Sequence, residues 1–324
     1  MLVRRTFLGA TLALFAGTAD GQTWPSRPIK LIVPNGPGLA SDILARLYAD
    51  RMSQALGQQM FVENVPGASG ITGAEAAARA APDGYTFFCA NASGLTSNMV
   101  LFKALPYDPT KDFTPVALLT DTGPFVVAVN PDLPVKTLAD LIAYGKANPG
   151  KLSYGIDATS GYGVVIGKVL NKRGGIGMVE IPYRSTPQLL ADTAEGRTQL
   201  LISSAPASDA FVKSGKLRRI AVTSAKRVNG FGLDDVPTVG ETLPGFAFDG
   251  WFAVVAPART PADIVQRVNA ATAIFLKDHS VAERLAGFTM EPAYPRSVED
   301  TAAYIRSEQQ RWRRLATEFE LQPQ

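Results

Sequence analysis

Past residue 22, short apolar runs alternate with amphipathic stretches along almost the whole chain. The runs fall at 29–33, 60–64, 85–90, 125–130, 152–156, 178–182, 199–203, 219–223 and 252–256. Their length and β-branched content fit strands buried on both faces, which read as continuous apolar segments. Between them, apolar residues recur at helical spacing over 41–55, 70–80, 137–147, 163–172, 187–195, 206–213, 261–277 and 297–319. Strand and helix in alternation predict an α/β fold with largely parallel sheets flanked by helices.

In such sheets a ligand sits beyond the carboxyl ends of the strands, where the strand order switches. Several predicted strand ends run into small polar loops: Pro34-Asn-Gly-Pro-Gly38, Asn91-Ala-Ser-Gly94, Asp157-Ala-Thr-Ser-Gly-Tyr-Gly163, Tyr183-Arg-Ser-Thr186 and Ser203-Ser204. The first is the clearest. Pro34 lacks a ladder donor, so the strand over 29–33 stops there. Ser41 or Asp42 can cap the helix that follows, and Ile43, Leu44, Leu47 and Tyr48 supply its apolar stripe. First-turn amides and the helix dipole favour an anion at such a point. An ordinary strand-to-helix turn fits the same residues; repetition of the pattern at other strand ends favours the ligand reading.

Punctuation along the chain predicts two lobes. Asp121-Thr-Gly-Pro124 reads as one crossing and Leu243-Pro-Gly-Phe-Ala-Phe-Asp-Gly250 as the return. The segment between them has its own alternation of strand and helix, whereas 251–324 adds one strand and long helices that pack back on the first part. The expected division is an export signal over 1–21, a discontinuous first lobe of 22–121 plus 249–324, and a second lobe of 122–248. Two joining segments suit a hinged binding protein. Two consecutive domains are the alternative.

The first 21 residues carry a basic start, Arg4-Arg5, an apolar run from Phe7 to Ala16 too short to span a bilayer, and small residues for cleavage after Ala19 or Gly21. Arg4-Arg5-Thr-Phe-Leu8 also fits a twin-arginine signal. General secretion is favoured, because nothing in the chain demands a cofactor inserted before export. The 324 residues, 46% hydrophobic, are enough for a sizeable core. With 32 Lys+Arg and 29 Asp+Glu the formal charge is +3; without Arg4 and Arg5 it falls to +1, or +2 if Asp20 goes too. That near-neutral balance excludes a strongly basic nucleic-acid binder. The densest basic cluster, Arg306, Arg311, Arg313 and Arg314, shares one predicted helix with Glu308 and Glu318 and reads as a solvated face.

Candidate chemistry is sparse. Cys89 is the sole cysteine, so it has no internal disulfide partner, and its apolar run predicts a buried filler. His279 is the sole histidine, which removes most zinc sites and every triad with a histidine base. Asp42, Asp83, Asp121, Asp157 and Asp192 show no glycosidase or metal spacing. The glycine-rich stretches lack both the Walker lysine and a Gly-x-Gly-x-x-Gly after a strand. No cofactor or metal is predicted. Asp157 stands out because it closes a predicted strand; it can accept from a ligand or cap the next turn.

Motifs spread nearly end to end carry a resemblance: Trp24-Pro-Ser-Arg-Pro-Ile-Lys-Leu-Ile-Val-Pro34, Asp42-Ile-Leu-Ala-Arg46, Val62-Glu-Asn-Val-Pro-Gly-Ala68, Ala81-Pro-Asp-Gly-Tyr-Thr86, Leu105-Pro-Tyr-Asp-Pro109, Gly150-Lys-Leu-Ser-Tyr154, Ser214-Gly-Lys-Leu-Arg218, Ala221-Val-Thr-Ser-Ala-Lys-Arg227 and Asp235-Val-Pro-Thr-Val239. In this order and spacing the chain resembles the substrate-binding proteins of tripartite tricarboxylate transporters, the Bug-type periplasmic receptors. The resemblance implies a type II periplasmic-binding fold that closes on a small carboxylate and delivers it to multi-pass membrane permease subunits. It implies a monomer in the periplasm. A sensor presenting its ligand to a membrane kinase fits the same residues, and a secreted α/β enzyme is the third class.

Carried over residue by residue, the resemblance puts one anion cradle at Asn35, Gly36, Gly38, Ala40 and Ser41 with Asn91, Ala92 and Ser93. The second lies at Asp157, Thr159, Ser160, Gly161, Tyr162 and Gly163 with Tyr183, Arg184, Ser185 and Ser203. A dicarboxylate would bridge the two, and Tyr162 would clamp an aromatic acid. The chain departs from the family at three points. Pro34-Asn-Gly-Pro-Gly-Leu39 replaces a Pro-Phe-Pro-Pro-Gly-Gly run, Gly161-Tyr-Gly-Val164 replaces a Thr-Ser-His type run, and Ser203-Ser204 stands where many relatives have an acidic residue. The missing acid argues against an amino-acid ligand. Arg184 is either a bidentate carboxylate grip or a surface residue. Trp251, which precedes a strand, reads as core.

Overall fold

The computed structural model describes residues 24–157, 161–183, 185–230, 232–288, 290–321 and 323. Strands β1 (Ile29–Val33), β2 (Met60–Asn64), β3 (Thr86–Asn91), β4 (Phe113–Thr122), β5 (Phe125–Val129), β6 (Ser153–Asp157), β7 (Val179–Tyr183), β8 (Leu200–Ser204), β9 (Arg218–Val222), β10 (Phe252–Pro257) and β11 (Glu291–Pro292) form two sheets. Their orders are β11-β4-β10-β3-β1-β2 and β7-β6-β8-β5-β9. This is the α/β, two-sheet architecture the alternation predicts.

Parallel pairing is confined to β2-β1-β3 in one sheet and β7-β6-β8 in the other, and β10 and β5 run antiparallel to both their neighbours. The reason is the path of the chain. A parallel neighbour needs a crossover connection, whereas β5 and β10 each enter directly from the opposite sheet and so start at the edge where the other strands finish. The apolar pattern predicts no strand over 113–122, because Pro115 interrupts it. In β4 that proline lies opposite Val255, beside a register shift in the pairing with β10, where a missing ladder donor is tolerated.

On one face of the first sheet, Leu31, Val33, Phe87, Cys89 and Val254 pack against the helices Ala40–Leu56 and Ala262–Lys277. Tyr48 meets Phe275 edge-on at 5.2 Å, and its hydroxyl hydrogen-bonds the Thr272 hydroxyl at 2.7 Å. Cys89 is fully buried there and its thiol is pushed up to about 12 by burial, as befits a filler. The opposite face, with Ile32, Phe88, Leu118 and Val255, packs under the long helix Val298–Glu318 in a core that continues into the second lobe through Trp312, Phe248 and Tyr162. Trp251 is 1% exposed, a core residue.

Two short segments join the sheets side by side. Gly250 N–H donates to the Gly123 carbonyl at 2.9 Å, and Pro124 bridges Asp249 in antiparallel fashion. Thr223 ties both segments to the second sheet: its hydroxyl accepts from Phe125 N–H at 3.0 Å and donates to the Phe248 carbonyl at 2.6 Å. A Cβ on Gly123 would stand 2.9 Å from the Gly250 oxygen, a backbone atom with nowhere to move. Gly123→Ala is therefore expected to destabilise the protein by about 1–3 kcal/mol through overpacking. Gly36→Ala, whose added methyl meets nothing within 4 Å, is expected to change stability little. Urea unfolding of the two variants checks this; equal midpoints would show that the segments do not hold each other this closely.

Candidate ligand-binding cleft

Strand register gathers the loops at one place. In the first sheet Val33 pairs with Asn64 and Phe252 with both Asn91 and Thr120, so β1, β2, β3 and β4 end at the edge where β10 begins. In the second, Asp157 pairs with Tyr183 and Phe125 with Ser204. The joining segments set these two edges against each other.

In the first lobe the loop after β1 is held by its own side chains. Ser41 Oγ donates to Asn35 Oδ1 at 3.0 Å, and Asn64 Nδ2 donates to the Asn35 carbonyl and to Asp42 Oδ1, both at 2.9 Å. Asp42 is 2% exposed and accepts from Gly38 N–H at 2.9 Å and Arg46 Nε at 3.0 Å. Burial alone would raise its pKa, but the hydrogen bonds from Arg46, Gly38 and Asn64 outweigh it and hold the carboxyl below its ordinary value. Asn35, Ser41 and the Gly38 amide thus shape the loop, and Leu39, not a polar side chain, occupies the N-cap of Ala40–Leu56. Gly36 and Gly38 are open, with φ +82° at Gly38. At the end of β3, Asn91 Oδ1 caps the turn of helix 92–95 by accepting from Gly94 N–H at 3.0 Å, Ala92 N–H donates to the Trp251 carbonyl at 2.9 Å, and Ser93 is half-buried beside them. The sequence reading missed one neighbour, Gly67-Ala-Ser-Gly70. There Ala68 and Ser69 adopt φ of 45° and 55°, strained values for residues with a Cβ. Its signal was available as a further small-residue loop after a strand end, β2.

In the second lobe the helices Gly161–Gly174, Thr186–Ala194 and Ala205–Lys213 begin just past β6, β7 and β8. Gly161 and Gly163 open the first of them, and a Cβ added at Gly163 would stand 3.8 Å from the Ile202 carbonyl oxygen, an ordinary contact. Ser185 and Ser204 stand at the N-caps of the other two with no side-chain capping bond. Ser203 is 7% exposed. Thr159, Ser160 and Arg184 lie outside the described residues, as does the side chain of Asp157. Tyr183 turns into the lobe, its ring packed over Gly155 and its neighbours Leu189 and Leu190. Tyr162 is also turned inward: it stacks on Phe125 at 5.5 Å and 18° and meets Trp312 at 4.7 Å. Aromatic partners on both sides take the surface that a ligand clamp would need.

A cavity of about 400 Å³ lies between Gly38, Leu39 and Ala40 of the first lobe and Ser204, Pro206 and Ala207 of the second. Gly123 to Phe125 and Gly250 close its inner end. Phe252, Phe288 and Met290 complete it, none of them singled out by the sequence pattern, since they come together only through the fold. A second cavity of about 630 Å³ is lined by Asp121, Asp249, the loop 224–230 and Tyr304. Asp121 pairs with Arg296 at 3.1 Å. Asp249 Oδ1 has no hydrogen-bond partner, and burial, opposed by the amides of Ala225 and Gly123 and by Arg311, pushes its pKa up to about 6.

Two α/β lobes joined by a pair of short segments, with strand and helix ends facing a cavity between them, define a two-lobed solute-binding protein. The sequence profile of the tripartite tricarboxylate transporter family receptor matches residues 44–321, and the chain belongs to that family. It is 33% identical over 315 residues to the protein BugT of Bordetella pertussis, spanning 95% of each chain. Among solved structures it is similar to a protein of R. palustris with adipate, at TM-score 0.81 and 34% identity over 93% of this chain and all of that one. It is likewise similar to the periplasmic binding protein BugD, at TM-score 0.78 and 29% identity over 93% of this chain and 100% of that one. It is a receptor, not an enzyme.

Three variants at two positions test the packing around the cleft. Because Asp249 binds its proton more tightly folded than unfolded, its own contribution to stability is greatest below about pH 4, is lost as pH rises to about 6 and is level above that. Asp249→Asn is expected to abolish this fall and to raise stability at pH 7 by up to about 3 kcal/mol. Melting temperatures between pH 4 and 8 decide it, an unchanged slope counting against. The Tyr162 hydroxyl is buried without a partner, so Tyr162→Phe is expected to cost less than about 1 kcal/mol, whereas Tyr162→Ala loses the ring contacts and costs about 3–5 kcal/mol.

Proposed function

We propose that the protein is an exported receptor that captures a small carboxylate between its lobes and delivers it to the permease subunits of a tripartite-type membrane transporter. The observation that carries this reading is the placement of helix starts from opposite lobes, at Ala40 and Ala205, on the two sides of one cavity. First-turn amides lack intrahelical partners and carry the positive end of the dipole, so both walls offer donors to a carboxylate without a formal cation. The adipate in the R. palustris relative supports the ligand class.

The lobes are 22–121 with 249–324, and 122–248, closing about the Gly123 and Gly250 segments. The basic start and short apolar run of residues 1–21 support export to the periplasm through general secretion, with delivery to the membrane as a diffusing monomer. No helix among the described residues is long and apolar enough to cross a membrane.

A thermal-shift screen of mono-, di- and tricarboxylates, aromatic acids and amino acids tests the ligand class. A ligand at a hundredfold excess over its Kd stabilises the folded protein by about 2.7 kcal/mol. A shift with acids but not with amino acids is the expected result; folded protein that responds to no acid refutes it. Solution scattering should show compaction with the bound acid, and an unchanged radius of gyration would rule out closure.

A further inference from the structure

We propose that the cavity between the lobes takes a monocarboxylate with an apolar body, an aromatic ring or an alkyl chain, in preference to a dicarboxylate of similar length. This rests on the carboxylate reading and decides between its two branches. The cavity is polar only at its two helix starts: amides at Leu39 and Ala40 on one wall, and on the other the Ser204 hydroxyl, free of any capping bond, beside a first turn in which Pro206 has no N–H to offer. The rest of the lining is hydrocarbon and aromatic ring, chiefly Leu39, Pro124, Phe125, Phe252, Phe288 and Met290, and none of the described lining side chains carries a charge. A carboxylate set against the side chains of Phe125, Phe252, Phe288 and Met290 would lose hydration that none of these four can replace, a cost far larger than a small ligand's binding energy. An apolar group gains there instead, in proportion to the area it covers.

Two features show a surface prepared for such a group. Leu39 is a large apolar residue left 54% exposed at the rim of the cavity, directly beside the helix start that would hold the carboxylate. Phe125 is a fixed wall: its ring stacks on Tyr162, which is backed by Trp312, so the ring stays in place when the site is empty. A preorganised ring costs little ordering on binding. Tyr162, unable to clamp a ligand directly, serves here as a positioning residue for Phe125.

Calorimetry on the whole mature protein tests the proposal with acetate, butanoate, hexanoate, benzoate, succinate, adipate and benzyl alcohol. Affinity is expected to rise roughly three- to fourfold per methylene from acetate to hexanoate, and benzoate and hexanoate should each exceed succinate and adipate by at least tenfold. A flat monoacid series, or adipate tighter than hexanoate, overturns the proposal and leaves the carboxylate reading standing. Benzyl alcohol as tight as benzoate refutes the carboxylate reading itself, and the proposal with it. Leu39→Ala, which trims the exposed apolar side chain and adds no capping oxygen, should weaken hexanoate and benzoate several-fold more than acetate; equal loss for all three would place the apolar body elsewhere.

Discussion

The close approach of two backbones at Gly123 and Gly250 is the constraint from which the architecture follows. A Cβ at position 123 would reach 2.9 Å from the opposing carbonyl oxygen, so the segments can lie this near only because both positions lack one. Their pairing fixes where each sheet is entered. It makes β5 and β10 antiparallel to their neighbours, and it brings the strand ends of both sheets to one plane. Thr223 then hydrogen-bonds both segments with one hydroxyl, which couples the outgoing and returning chains to the same sheet.

The surroundings of that junction are not uniform. One part is filled: Phe125, Tyr162, Trp312 and Phe248 form a continuous aromatic contact, and Arg311 lies 4.9 Å over the Phe248 ring. Tyr162 begins a helix of the second sheet while Trp312 belongs to a helix packed on the first, so rotation of the lobes must either preserve this contact or expose buried rings. Elsewhere two cavities border the junction, one of about 400 Å³ with helix starts on both walls and one of about 630 Å³ against Asp121 and Asp249. These can change volume without losing packed aromatic surface, whereas the filled contact cannot.

Four of the five carboxylates that the sequence offers as acid or base candidates are engaged in ion pairs: Asp42 with Arg46, Asp83 with Arg27, Asp121 with Arg296 and Asp192 with Arg197; the side chain of Asp157 lies outside the described residues. His279 is exposed on its helix and pairs only with Glu283 at 3.3 Å. The basic residues of the last helix divide: Arg306, Arg313 and Arg314 face solvent as a charged helix face should, whereas Arg311 turns to Glu308, Phe248 and the Ala247 carbonyl.

Local pattern alone determined most of the elements: continuous apolar runs gave the buried strands β1 to β3 and β5 to β10, and helical spacing gave the long helices but not the short one at His279–Ala286, because those signals depend only on which neighbours in sequence share a face. Turn chemistry marked 121–124 and 243–250 as the expected crossings between lobes. Strand β4 escaped because Pro115 cancels the local signal, and β11 because two residues carry no period. The motifs also marked small polar loops at several strand ends, yet not the direction of their side chains. Whether Ser41 faces a ligand or Asn35, and whether Tyr162 and Tyr183 face the cleft or the core, is settled by partners far away in sequence, such as Trp312 for Tyr162. The cavity lining is the extreme case. Leu39, Phe125, Phe252, Phe288 and Met290 are ordinary apolar residues in their own segments, and only the tertiary structure, by setting two sheet edges against each other, makes them one surface.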